Sequence, residues 1–133
     1  MKIYHYNELD QFMQNSVSSE IAVVRDRVAK NELLHRHDYF EIVYVCKVRG
    51  IHVINCKSYK VETGNIMLLT PEDSHAYFSI NDMSIFNCCF LYRELPHYFR
   101  KEDLESPVIA LSSYYQLQIE QLLHMLGTEL SDK

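Results

Sequence analysis

From Tyr39 to Tyr92 the chain breaks into short apolar runs separated by turn residues at intervals of roughly ten positions, a rhythm that admits few folds. Residues 39–46, 51–54, 58–62, 66–70, 76–80 and 84–92 each have the length and the β-branched or aromatic content of a strand. Turn signals fall between them at Lys47-Val48-Arg49-Gly50, Asn55-Cys56-Lys57 and Thr63-Gly64-Asn65, where Gly64 suits a positive φ. Residues 66–70 are almost wholly apolar, as a strand covered on both faces should be. Pro71 then ends the pairing because it has no N–H to donate. With only three Gly and three Pro in the chain, Asn, Asp, Ser and Lys must make the other turns. The pattern predicts a mainly β protein, a small antiparallel barrel or sandwich.

The flanks read differently. Asn7 is placed to cap a short turn carrying Leu9, Phe12 and Met13, residues 21–24 form a candidate strand, and residues 25–32 form a charged, exposed connection. Residues 93–103 are mixed, with a short helix at 97–101, and residues 108–111 make a brief strand. The clearest helix follows. Ser113 and Gln116 fit a capping box, Tyr115, Ile119, Leu122 and Leu126 make an apolar stripe thickened by Leu123, and Gly127 stands where a C-terminal cap belongs. That stripe either covers the barrel or pairs with a second copy; on the pairing reading Tyr115, Ile119, Leu122, Leu123 and Leu126 form a homodimer interface. The chain divides into residues 1–111, a barrel with an N-terminal arm, and residues 112–133, the C-terminal helix.

Charge and cysteine usage narrow the class. With 13 Lys and Arg against 18 Asp and Glu, the net charge of −5 argues against a nucleic-acid surface within these residues. The four cysteines, Cys46, Cys56, Cys88 and Cys89, form no CxxC pair and read as reduced thiols. Cys88 and Cys89 should face opposite ways on one strand. The N-terminus lacks an apolar signal core and no run reaches membrane-spanning length, so the expectation is a cytoplasmic protein with no membrane contact.

Chemistry concentrates at His35-Arg36-His37-Asp38-Tyr39-Phe40-Glu41 and at Pro71-Glu72-Asp73-Ser74-His75. On an extended strand His35, His37, Tyr39 and Glu41 share one face. Ionisable side chains are seldom buried unless they are paired or bound, so this face is expected to line a pocket with His75 and Tyr77. One geometric obstacle stands out: on a straight strand Glu41 lies about 13 Å beyond His37, and convergence needs a bulge or a sharp bend. Plainer readings pair Glu41 with Arg36 or Arg49, make His75 a turn cap, and leave His5, His52, His97 and His124 on the surface.

The segment from His35 to Val45, with Gly50, Tyr59-Lys60-Val61, Gly64-Asn65-Ile66, Pro71 and His75, closely resembles the N-terminal sensor domain of AraC-type bacterial transcription regulators over residues 33–92. The resemblance implies a cupin-type barrel that binds a small effector, often a sugar or related metabolite, a dimerising C-terminal helix, and no enzymatic activity. It also implies that the natural chain continues past Lys133 into a basic helix-turn-helix region that carries any DNA binding. The same residues are similar to the metal site of cupin enzymes, which would make His35, His37, Glu41 and His75 ligands. No cofactor is required on the sensor reading. Imidazole and carboxylate would suit Mn, Fe, Ni or Zn on the alternative reading, a small metal-dependent dioxygenase or isomerase.

Overall fold

The computed structural model describes residues 1–11, 21–28, 31–47, 49–78, 83–91 and 104–131. The strands are β1 (Lys2–Tyr4), β2 (Ile21–Val28), β3 (Glu32–His37), β4 (Phe40–Lys47), β5 (Arg49–Ile54), β6 (Lys57–Glu62), β7 (Asn65–Leu69), β8 (His75–Phe78), β9 (Met83–Phe90) and β10 (Val108–Ala110), followed by the helix α1 (Ser113–Ser131). They form two five-stranded sheets, ordered β1-β3-β8-β5-β6 and β10-β7-β4-β9-β2. The mainly β expectation holds, with two corrections: the sheets stack as a sandwich rather than closing into one barrel, and β1 pairs with β3 in parallel.

Alternation explains the layering. On β4, Val43 and Val45 turn inward and meet Met67 and Leu69 of β7, Ile54, Val61, Tyr77, Met83 and Ile85 in the core between the sheets. The opposite face of the same sheet is also apolar, with Val23, Tyr44, Phe86, Cys88 and Phe90 packed beneath Leu123 of α1. Cys89 instead points inward, beside Tyr6, Leu9, Ala22 and Tyr39, so the adjacent cysteines do part as expected.

Turn chemistry fixes the register. Asn55 and Cys56 at the β5–β6 hairpin have φ of 50° and 69°, the pair of positive values that a two-residue loop needs to match strand twist. Gly64, at φ 91°, makes the positive-φ turn foreseen for it, and its N–H donates to Val45 O at 2.9 Å. A side chain there would have to displace the end of Gln116, because a Cβ would sit 2.3 Å from its Nε2.

Four local expectations shift. Residues 25–28 continue β2 and Glu32 opens β3, so the charged segment is largely strand. Arg49 and Gly50 belong to β5 rather than to a turn. The helix cap is Ser112, whose carbonyl accepts Gln116 N–H at 2.9 Å, while the Gln116 side chain donates back to Leu111 O. Gly127 is no terminator; α1 runs on to Ser131, and the glycine lies over Val23 of β2, where a Cβ would make only ordinary contact. The expected turn residues Phe12 and Met13 and the short helix at 97–101 lie outside the described residues.

Candidate functional site

A sharp corner assembles the site. β3 ends at His37 in one sheet and β4 starts at Phe40 in the other, with Asp38 and Tyr39 as the bend between them. Asp38 holds that corner: its carboxylate accepts Tyr6 N–H at 2.8 Å and contacts His5 Nδ1 at 2.8 Å, while its own N–H donates to Tyr4 O. The bend removes the distance that a straight strand would impose. Glu41 Oε2 lies 2.7 Å from His37 Nε2 and 3.9 Å from His75 Nε2. Register supplies His75, since His35 of β3 stands opposite His75 of β8.

The result is a cavity of ≈ 220 Å³ lined by His35, His37, Tyr39, Glu41, His75 and Tyr77, together with Tyr4, Leu9, Glu32, Ile85, Asn87 and Cys89. All six residues expected to line a pocket therefore meet, and all are buried. Tyr39 stacks on His37 at 4.5 Å, and Tyr4 meets the His35 ring edge-on. The plainer readings of Glu41 and His75 give way: Glu41 pairs with His37 while Arg36 donates to Pro71 O, and Asp73 is the residue that caps the turn after Pro71, accepting Thr70 N–H.

His52 was expected on the surface and is fully buried instead, its Nε2 2.8 Å from His75 Nδ1 and its Nδ1 2.8 Å from Met67 Sδ. His5 and His124 are exposed, as expected; His97 lies outside the described residues. Asn87 was also missed; its Oδ1 is buried with no hydrogen-bond partner among the described residues. For Asn87 the available signal was a polar residue at the inward parity of an apolar strand; for His52 parity alone left the face open.

Proton positions follow from the partners. Leu33 O and Tyr39 O can only accept, so Nδ1–H of His35 and Nδ1–H of His37 donate to them, at 2.8 Å and 3.1 Å. A neutral His37 would then direct its Nε2 lone pair at the Glu41 carboxylate. Only a proton or another cation between the two relieves that repulsion. Burial lowers the His37 pKa, but the hydrogen bond and charge of Glu41 outweigh it and the net shift is upward. Burial pushes His35 down, and pushes His52 down to about 3. Burial also raises Tyr39, which keeps its phenol protonated as a donor.

The donor set fits a divalent ion. The ligand atoms of His35, His37 and His75 lie within 4.8 Å of one another, and Glu41 offers a carboxylate oxygen beside them. The 3.0 Å between His37 Nε2 and His75 Nε2 is close to the roughly 3.3 Å expected of two nitrogens on one tetrahedral ion. Anchored Nδ1 atoms with converging Nε2 atoms are the arrangement that metal-binding imidazoles adopt.

Of the five residues expected at a dimer interface, Leu123 is buried in its own chain, and Ile119 and Leu126 pack against its sheet. Tyr115 and Leu122 are exposed, as are Tyr114 and Met125 beside them. No described helix is long and apolar enough to cross a membrane.

A family model for the AraC-like ligand binding domain matches residues 32–127. The HTH-type transcriptional activator RhaR of Cronobacter sakazakii is 30% identical over 116 residues, covering 80% of this chain and 41% of that protein. The chain thus spans about two fifths of that relative's length. Among solved structures, the cupin domain of Schizosaccharomyces pombe Cnp3 aligns with TM-score 0.53 at 3% identity, over 64% of this chain and 67% of its own. KdgF from Halomonas sp. aligns with TM-score 0.52 at 12% identity, over 59% of this chain and 77% of its own. These two likenesses establish a cupin-like fold.

Proposed function

We propose, from the premise that the chain belongs to the AraC-like ligand binding domains, that it is the sensor half of a transcription regulator and takes a small polar metabolite into its cavity. The observation that carries this is the cavity of ≈ 220 Å³ with imidazole, carboxylate and phenol groups on its walls. Its size, below the roughly 300–1,000 Å³ of drug-sized sites, suits a small metabolite. Sensing requires the effector to favour one arrangement of the domain over another through its contacts. On this reading a DNA-binding region follows the sensor, and the four free cysteines suit a reducing cytoplasm.

The test is a thermal-shift screen of metabolites and metals. A genuine effector at about a hundred times its Kd stabilises by roughly 2.7 kcal/mol, and His35→Ala/His37→Ala should abolish that shift. A library in which every hit persists in the double variant would refute the site.

Dimerisation is the second half of the proposal. The apolar residues that α1 turns to solvent, Tyr114, Tyr115, Leu122 and Met125, support pairing with a second copy. Leu122→Glu should give a monomer in analytical ultracentrifugation with unchanged circular dichroism. Leu123→Ala should instead cost about 2–5 kcal/mol of stability, as a core truncation does.

A metal-dependent enzyme is the second reading, favoured by the convergence of the three imidazoles. A bound ion would supply Lewis acidity there, with His35, His37, His75 and Glu41 holding it. Elemental analysis of protein purified without chelator separates the two readings: stoichiometric metal with turnover supports the enzyme, and metal-free protein removes it.

A further inference from the structure

We infer that His52 and Met67 set the polarity of one cavity wall: they lock His75 with its proton on Nδ1 and its Nε2 lone pair turned inward, so that this wall receives a cation or a hydrogen-bond donor. This rests on the reading of the cavity as a ligand site.

A buried row of contacts from Met67 through His52 to His75 fixes where the protons sit. Met67 Sδ, on β7, carries no hydrogen and can only accept, so the 2.8 Å contact places the His52 proton on Nδ1. His52 is fully buried, stacks on Tyr77 at 4.2 Å, and touches no carboxylate among the described residues; it is neutral, with a single ring proton. Its Nε2 is therefore an acceptor, and the 2.8 Å contact to His75 Nδ1 is a bond that His75 donates. A neutral His75 then has no hydrogen left for Nε2, the atom nearest Glu41 and His37.

The same polarity repeats around the cavity. His35 donates its Nδ1–H to Leu33 O, which leaves its Nε2 bare. Glu41 contributes a carboxylate, and Asn87 Oδ1 has no partner among the described residues. His37 already directs its proton to Glu41. His35 Nε2, His75 Nε2, Glu41 and Asn87 Oδ1 thus offer acceptors to an occupant, beside the phenols of Tyr4, Tyr39 and Tyr77, which can donate. His52 touches no occupant itself; it is a positioning residue that acts through His75, and Met67 acts through His52.

Long-range 1H–15N spectra of the 15N-labelled chain read the tautomers directly. His52 and His75 are expected as Nδ1–H forms in the wild type. Met67→Leu keeps the volume but removes the acceptor; His75 should then become a tautomer mixture, with Zn2+ affinity down about tenfold or more. Met67→Gln restores an acceptor and should restore both readouts. A wild-type His75 protonated at Nε2 or a Met67→Leu spectrum unchanged from wild type would each overturn the inference. Failure of Zn2+ to bind the wild type would remove the metal reading alone, because the tautomer spectra need no metal.

Discussion

Tyr44 and Glu120 offer a test of how the ligand-facing sheet is tied to the helix. Tyr44 lies on β4, whose inner face carries Glu41, and its ring packs outward in the apolar layer beneath α1. The side chain is fully buried, and its hydroxyl donates to Glu120 Oε1 at 2.9 Å; burial and that bond both raise its pKa, so it stays a donor. The two partners differ in what they lose when separated. In Tyr44→Phe the half-exposed Glu120 recovers water, and the cost is that of one net hydrogen bond, about 1 kcal/mol. In Glu120→Ala the hydroxyl is stranded in an apolar layer, which costs about 2–3 kcal/mol, less a few tenths from alanine's helix propensity. The double variant removes both polar groups and should be less destabilised than the sum of the singles by roughly 1–2 kcal/mol. Urea unfolding at pH 7 measures all four corners of the cycle. Tyr44→Phe proving the more damaging single change, or simple additivity, would refute the reasoning.

Two further outcomes follow from the same geometry. His52 has a pKa near 3 in the fold against 6.5 in the unfolded chain, so between those values only the unfolded state binds the proton. Stability should fall on acidification below pH 6.5, by up to about 1.4 kcal/mol per pH unit, and His52→Leu should flatten that slope in urea titrations at pH 5–7. His37 opposes this trend, since its raised pKa gives a contribution present below pH 6.5 and lost as pH rises through the folded value. Gly64→Ala combines a strained φ of 91° with a clash against Gln116 and should cost roughly 2–3 kcal/mol; adding Gln116→Ala should leave only the backbone part, about 1–2 kcal/mol, in the same unfolding assay.

The cavity was legible because its chemistry is crowded into one short segment whose parity survives the corner at Asp38 and Tyr39. His35, His37, Tyr39 and Glu41 alternate correctly even though the run passes from one sheet through the bend into the other. The corner itself was not legible, because its stabilising bonds come from Tyr4, His5 and Tyr6, far away in sequence. His52 stayed hidden for a similar reason. In Arg49–Ile54 a histidine between Ile51 and Val53 fits either face, and only the pairing of His52 with Tyr77 and of Ile54 with His75 identifies the inner one. On α1 both faces are apolar, so periodicity found the stripe but not its rotation; Leu123 and Leu130 turn to the sheet while Leu122 and Met125 do not. Local sequence thus names the groups that meet a ligand. The residues that orient them, His52, Met67 and Asp38, owe their roles to contacts that exist only after the strands have paired, so substitutions there should alter what the cavity accepts without touching its occupant.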